Sequence, residues 1–418
     1  MGNNDDFLLD QIKKSIQIAT GCTEPVAIAL NAAVARKNTP GNITGAAISM
    51  DEGLLKNALH VGIPGVQGRG IELCAALGFV AGNPDDGMDI FSHIAPSDEE
   101  TARLLVPLIT VSIKKDCTDL YIETTLTTDQ GCTRVITYKN HDNIASVEHP
   151  PFSDFVQEEN PDAARMRTFS LEDLREFADR VPIDKIRFLK DGVDVNRRIA
   201  AKGMEMGFGR SLSRLSKYTL WGDSLLPYVQ ELTGAASFAR MSGVQMPVMI
   251  ATGSGNQGIT LFLTVAAAAD KIKVGEEKLL RGLALALCVN LLAKSYLGTL
   301  APLCACGVAS GLGAAVGIVY LQDGTTAQMA GTVRSMIGGL TGMICDGAKE
   351  GCANKVAISA TYAALSAMTA VSDFSISGDN GILSEDIRNV FENLEYLAKE
   401  GMKNTNEAIL HIMGSGKN

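Results

Sequence analysis

Nine cysteines are scattered through this 418-residue chain, and four lie among glycines and other small residues: Cys22 in Gly-Cys-Thr-Glu-Pro (21–25), Cys304, and the pair Cys345 and Cys352 in Cys-Asp-Gly-Ala-Lys-Glu-Gly-Cys. Two thiols seven residues apart, with Gly347 and Gly351 between them to bend the backbone, can converge on one inorganic centre. Thiolate is the soft ligand that selects zinc, copper(I) or iron–sulfur clusters. Taken singly, a free cysteine is more often a small buried hydrophobe; the clustering is what argues for chemistry. The five histidines (60, 93, 141, 149 and 411) show no metal-binding spacing, so a mixed Cys/His zinc site is not expected. Three thiolates around a [4Fe–4S] cluster would leave one iron without a protein ligand, an open Lewis acid of the catalytic kind.

Pro25 followed by Val-Ala-Ile-Ala-Leu predicts a helix start, because proline suits the first turn. Cys22 and Glu24 then stand at the helix mouth, where the dipole and free N–H groups favour a thiolate at Cys22; the alternative is a surface turn cysteine. Pairing of Cys22 with His60 has no support beyond the presence of both. Gly253-Ser-Gly-Asn-Gln-Gly258 satisfies the G-x-G-x-x-G pattern after an apolar run at 248–251. A dinucleotide site would need an acid about twenty residues on, at the end of a second strand. Glu276 and Glu277 fall instead in a lysine-rich polar turn. The better reading is a turn whose amides, with Ser254, Asn256 and Gln257, hold a carboxylate or phosphate. Lys56 and Asn57 precede a Gly-Ile-Pro-Gly turn and face either a pocket or solvent.

The elements that must position these groups are legible in outline. The chain is long for one core, which predicts two domains. Residues 7–37 read as one or two helices broken near 20–25, and residues 43–50 as a short strand. Between 105 and 147, β-branched alternating runs separated by Asp-Gln-Gly turns predict strands and hairpins. Residues 148–168 are polar and proline-containing, a linker; beyond Ser170, a helix cap, the pattern is helical almost throughout. The expected fold is α+β: a mixed α/β domain with a small, mostly antiparallel sheet (1–155), then a larger all-helical domain (166–418).

Composition narrows the partners. Hydrophobic residues make up 46% and charged residues 20%, which describes a well-buried globular chain. Aromatics are only 5% while alanine and glycine abound, so close packing through small side chains is expected. The net charge of −10, without a basic block, argues against nucleic acid or an anionic membrane surface. Met-Gly opens a myristoylation pattern, but Asp6 stands where Ser or Thr is needed. The segment 295–322 carries no charge and is long enough to span a bilayer, yet it is mostly small residues, contains Pro302 and lacks an aromatic belt. Internal burial is the better reading. An acidic N-terminus without a signal-like apolar stretch predicts a cytoplasmic protein, where cysteine patterns point to metals or catalysis rather than disulfides.

The blocks Gly-Cys-Thr-Glu-Pro (21–25), Leu-Lys-Asn (55–57) before Pro-Gly (64–65), Ala-Arg-Met (239–241), Gly-Ser-Gly-Asn-Gln-Gly-Ile (253–259), Leu-Cys-Ala (303–305) and Met-Ile-Cys-Asp-Gly-Ala (343–348), with Cys352-Ala353 and Lys355, run almost the length of the chain. In this order they resemble the L-cysteine desulfidases, the UPF0597 group related to the iron–sulfur L-serine dehydratases. The resemblance implies a serine dehydratase-like fold and α,β-elimination from L-cysteine, giving sulfide, ammonia and pyruvate. It implies a [4Fe–4S] cluster on Cys304, Cys345 and Cys352, with Cys22 as base, resting ligand of the open iron or sulfur acceptor. The α-proton would go to Cys22 as base; Arg240 and the 253–258 turn would hold the substrate carboxylate, and Lys56 and Asn57 would contact substrate. Cys74, Cys117, Cys132, Cys288 and Cys306 fall outside these blocks and read as structural. L-Serine dehydratase and a non-enzymatic iron–sulfur redox sensor are the alternatives. The expected partner is a small amino acid, with no nucleic acid, no membrane, and a homodimer left open.

Overall fold

The computed structural model describes residues 2–158, 160–208 and 224–415; the helical expectation for 209–223 and 416–418 lies outside them. The chain opens with helix α1 (Asn3–Ser15), strand β1 (Ile16–Thr20) and helix α2 (Thr23–Lys37). Then come β2 (Ile43–Met50), α3 (Glu52–Ala58), α4 (Ile71–Ala81) and α5 (Pro96–Leu105). Strands β3 (Ile109–Ile113), β4 (Tyr121–Thr128), β5 (Cys132–Tyr138) and β6 (Ile144–Glu148) complete a five-stranded sheet of order β3-β2-β4-β5-β6. Only the β2–β3 pair is parallel; the others are antiparallel. Alternation turns Ala46, Ile48 and Met50 inward on β2 and Ile122 and Leu126 on β4. Helix α2 covers that face and packs on α4, where Gly78 lets the helix backbone approach the Ala29 carbonyl.

Among the described residues the rest of the chain has one strand, and its other elements are helical. Helices α6 (Pro161–Met166), α7 (Leu171–Arg180), α8 (Ile183–Ile186), α9 (Leu189–Glu205) and α10 (Leu225–Met241) lead to β7 (Pro247–Ala251). Ser170 caps α7 as its sequence demands: its hydroxyl accepts from the Asp173 amide at 3.2 Å while Asp173 accepts from the Ser170 amide at 2.8 Å. Next come α11 (Gly255–Ile272), α12 (Glu276–Leu297), a π-helical turn (Cys306–Gly311) running into α13 (Leu312–Leu321), α14 (Thr326–Leu340) and α15 (Cys352–Val371). Helices α16 (Ile387–Tyr396) and α17 (Thr405–Ser415) close the chain.

The fold is α+β, as the sequence reading has it. Helix α11 is the axis of the helical part, buried from Gly255 to Ala269 and packed against α9, α10, α12, α13 and α15. Small residues make this possible: a Cβ on Gly313 would collide with the Ala286 carbonyl, and one on Gly203 with that of Ala235. The uncharged segment 295–322 breaks at 298–304, and its helical part is buried inside the protein. Among the described residues one helix, α12, is long and apolar enough to cross a membrane, and 78% of its apolar window is buried in the protein.

One local expectation changes. Residues 16–20 are not helical: β1 pairs antiparallel with β7, Ile16 opposite Ala251 and Thr20 opposite Pro247. Its partner lies more than two hundred residues away, so nothing local announces it. The ribbon ties the first twenty residues to the helical part, where α1 also packs against α12. Its antiparallel register puts Gly21–Cys22, after β1, at the Pro247 end and Thr252–Ser254, after β7, at the Ile16 end, where the Thr252 amide donates to Ser15 O at 2.7 Å. Arg240 links the two loops, donating to Gly21 O and lying against Gly255.

Candidate active site

Cys22 is the extended N-cap of α2, 3% exposed. Its Sγ donates to Oε2 of Glu24 at 2.9 Å; Thr23 Oγ1 donates to the same oxygen at 3.1 Å, and Asn57 Nδ2 to Oε1 at 2.9 Å. Burial works against the Glu24 charge, but His141, the Cys22 thiol, Arg240 and Asn57 together hold its pKa below the usual carboxylate value. The consequence for Cys22 reverses the expectation of a thiolate. Burial, and then the Glu24 carboxylate, push the thiol well up, outweighing Arg240. In this pair the carboxylate carries the charge and the thiol carries the proton.

Asn57 extends the pair toward the second group of cysteines: the Cys345 thiol lies 3.7 Å from Asn57 Oδ1. Leu303 and Ile344 form an antiparallel bridge, closed by Cys304 N to Met343 O at 2.8 Å and Cys345 N to Pro302 O at 2.7 Å. By strand alternation Cys304 and Cys345 share the face opposite that bridge. Cys352 opens α15 and packs with Ala348 against Cys22, Val61 and Met241. Sequence distance is thereby erased: Cys345 meets Asn57, and Cys352 meets Cys22.

The thiols differ electrostatically. Cys306, read as structural from sequence, hydrogen-bonds Cys304, and this bond more than any other cause brings Cys304 down to about 7 despite burial. Cys306 itself is pushed well up by that bond and by burial. Burial raises Cys345 against the pull of Lys56, and takes Cys352 to about 11. Lys355 keeps its charge raised, burial notwithstanding, through Asp346. Lys294, on α12, is 8% exposed, donates to Thr299 O at 2.7 Å, and is lowered by burial to about 8 with Cys345 and Cys306 in electrostatic range. The π-helical turn begins at Cys306, a wider backbone geometry that recurs at functional sites.

Lys56 does not face open space. Its ammonium, 1% exposed, donates to Cys345 O at 2.7 Å and to Asn406 Oδ1 at 2.8 Å, joining α3, the Cys345 loop and α17. Gly347, at φ +97°, passes close above the Lys56 carbonyl, where a Cβ would sit 2.8 Å away. His60 is exposed while Cys22 is buried, and no bond between them exists among the described residues.

The glycine turn is a strand–turn–helix, but among the described residues β7 pairs only with β1, in a two-stranded antiparallel ribbon rather than a dinucleotide-binding parallel sheet. Gly258 permits α11 to press against the Met249 carbonyl. Ser254 is the N-cap of α11, without a side-chain bond to its helix. Asn256 accepts from Ser237 Oγ at 3.2 Å. Gln257 Oε1 accepts from Thr252 Oγ1 at 3.0 Å and Ser310 Oγ at 3.3 Å, and Asn290 closes the ring by donating to Thr252 at 3.2 Å and accepting from Ser310 at 3.3 Å. Gln257 therefore braces the turn against the π-helical segment after Cys304. Arg240, 4% exposed, donates through Nε to Gly21 O at 3.1 Å and lies over Gly255, where a Cβ would strike its guanidinium. Among the described residues its Nη2 has no hydrogen-bond partner.

Fold and site define an α+β, thiol-rich protein with a buried carboxylate–thiol pair. The comparisons name it: a family model described as serine dehydratase alpha chain matches residues 85–411, and the chain belongs to that family. Over nearly its whole length it is similar to UPF0597 proteins. That of Clostridium tetani is 34% identical across 98% of this chain and 99% of the relative. That of Caldanaerobacter subterraneus subsp. tengcongensis is 34% identical across 97% and 98%, and that of Alkaliphilus oremlandii 34% identical across 98% of both.

Proposed function

We propose that this chain is an L-cysteine desulfidase, a carbon–sulfur lyase that eliminates sulfide from L-cysteine. The observation that carries the reading is the single chain of contacts Cys22–Glu24–Asn57–Cys345, which joins a proton-bearing thiol to the face shared by Cys304 and Cys345. The donor set suits a thiolate-bound centre: Cys304 near 7, with Lys56 and Lys355 close enough to favour thiolates. Among the described residues no three such groups stand close enough to grip a single ion. A four-iron cube is wider than an ion, so an open triad of Cys304, Cys345 and Cys352 fits the cluster better. When bound there, a [4Fe–4S] cluster supplies a Lewis-acidic iron for the leaving sulfur.

The remaining steps belong to the protein. Arg240 Nη2 and the free amides opening α11 receive the substrate carboxylate. As Cys22 Sγ takes the α-proton, its own proton passes along the 2.9 Å contact to Glu24 Oε2, so the charged member of the pair is the final acceptor and no free thiolate forms. Asn57 holds Glu24 on one side and Cys345 on the other, keeping the base and the thiol face in register. The near-complete burial of Cys22, Glu24 and Asn57 excludes water from the proton path. L-Serine dehydratase differs only in the leaving group, and protein purified without oxygen separates the two. Sulfide from L-cysteine with little pyruvate from L-serine supports the desulfidase; the reverse preference overturns it.

A further inference from the structure

His141 has no part in the scheme above, yet among the described residues it is the one side chain with two buried, unpartnered polar atoms: both Nδ1 and Nε2 lack a hydrogen bond, and the residue is 4% exposed. Leaving such groups dry and unpaired costs about 1–3 kcal/mol each, so a ring held this way points to a missing partner. Its place is specific. Nδ1 lies against the glycine turn, where a Cβ at Gly253 would sit 2.9 Å away; the space His141 occupies exists because residue 253 is glycine. Two residues on, Gly255 makes the same room for Arg240, whose Nη2 is the other unpartnered donor at this turn. Both groups act electrostatically on Glu24, which places them around one centre.

We propose that His141 and Arg240 form a two-cation receptor for the substrate's carboxylate at the mouth of α11, with His141 taking up a proton as the carboxylate arrives. The charge balance fits. The groups facing His141 are Glu24 on α2, Asp142 and Asp119 from the loops of the sheet, and Lys294 on α12. In the empty site burial keeps the imidazole lowered despite Glu24. A second carboxylate tips that balance, since an anion in contact favours imidazolium. Arg240 and His141 then offset two carboxylates, while the Glu24 oxygens remain engaged by Cys22, Thr23 and Asn57. Affinity for a carboxylate ligand therefore rises as pH falls through the bound-state pKa of His141 and levels off below its free-state value.

The inference rests on the amino-acid reading only for its probe, so binding and elimination are tested separately. L-Alanine carries the carboxylate and ammonium without a leaving group; ethylamine lacks the carboxylate. Calorimetry on wild type should show L-alanine binding tighten from about pH 8 to about pH 6, the range in which histidine titrates, with ethylamine not following. H141Q should lose about tenfold to 100-fold in L-alanine affinity, the worth of a charged hydrogen bond, and its pH dependence should flatten. Unchanged L-alanine binding in H141Q overturns the proposal, as does wild-type binding that is absent or flat with pH; the wild-type measurement decides if H141Q does not fold. A protein that eliminates neither substrate but binds L-alanine through His141 sinks the elimination reading and leaves the receptor standing.

Discussion

Replacing Lys56 with methionine separates a positioning lysine from a substrate-contacting one. The change keeps the length of the side chain and removes two donors, to Cys345 O at 2.7 Å and Asn406 Oδ1 at 2.8 Å. A hydrogen bond to a charged group contributes about 1.5–3 kcal/mol, and two lost bonds give a gross loss of about 3–6 kcal/mol. Relief from burying an ammonium that is 1% exposed offsets part of this. A net local cost of about 2–4 kcal/mol raises the opening of the segment roughly 30- to 700-fold, at 1.4 kcal/mol per factor of ten. The loss falls on α17, which packs against α3 through this contact, and on the Cys345 loop. Hydrogen exchange followed by mass spectrometry should therefore show faster exchange across 405–415 and around 345, with α11 unaffected. Alkylation of Cys345 should accelerate in parallel. If exchange in both segments is unchanged while only the KM for the amino acid rises, Lys56 touches substrate and the reasoning fails.

Three further outcomes follow from the same geometry. Glu24→Gln removes the acceptor of the Cys22 proton and should lower kcat by about 10²- to 10⁴-fold, the usual worth of a general base, with the KM for L-cysteine little changed; a loss under about twofold would refute the relay. Cys304→Ala, Cys345→Ala and Cys352→Ala should each lose iron and sulfide on anaerobic quantitation while Cys74→Ala keeps both, and full cluster content in all of them sinks the ligand assignment. Asp51 caps α3, accepting from Leu54 N and Tyr121 N at 2.9 Å each, and burial raises it to about 6. Because the folded form holds its proton more tightly than the unfolded chain, stability declines as pH rises from about 4 to about 6, by about 3 kcal/mol for a shift of about two units. Urea midpoints across that range should show the decline in wild type and a flatter profile in Asp51→Asn; parallel profiles would remove Asp51 as its source.

What was legible beforehand was local chemistry. The cap at Ser170, the hairpin strands between 105 and 147, the small-residue packing of the helical part and the internal burial of 295–322 all follow from side-chain type and short-range pattern. The cysteine blocks were legible for the same reason, since glycine neighbours mark a backbone bent for a purpose. Three site properties were not. Cys22 looked like a thiolate from its place at a helix mouth, but the dipole acts weakly beside a carboxylate at 2.9 Å in a dry site. Cys306 looked structural until the π-helical turn set it on Cys304. His141 had no motif at all; its neighbours Glu24, Gly253 and Lys294 lie more than a hundred residues away in either direction.

The amino-acid sequence alone determined which residues carry reactive groups and, β1 apart, most of which segments are helix, strand or turn, because those depend on side-chain chemistry and neighbours a few positions apart. The tertiary structure alone decided which groups carry charge and which meet. Arg240, reaching Gly21 O while lying against Gly255, ties the Cys22 loop to the glycine turn, and the bridge of 303 to 344 brings Cys304 to Cys345. Both are long-range contacts that leave no local periodicity behind; burial and the neighbouring carboxylate keep the proton on Cys22, while His141, the Cys22 thiol, Arg240 and Asn57 keep the charge on Glu24 against burial.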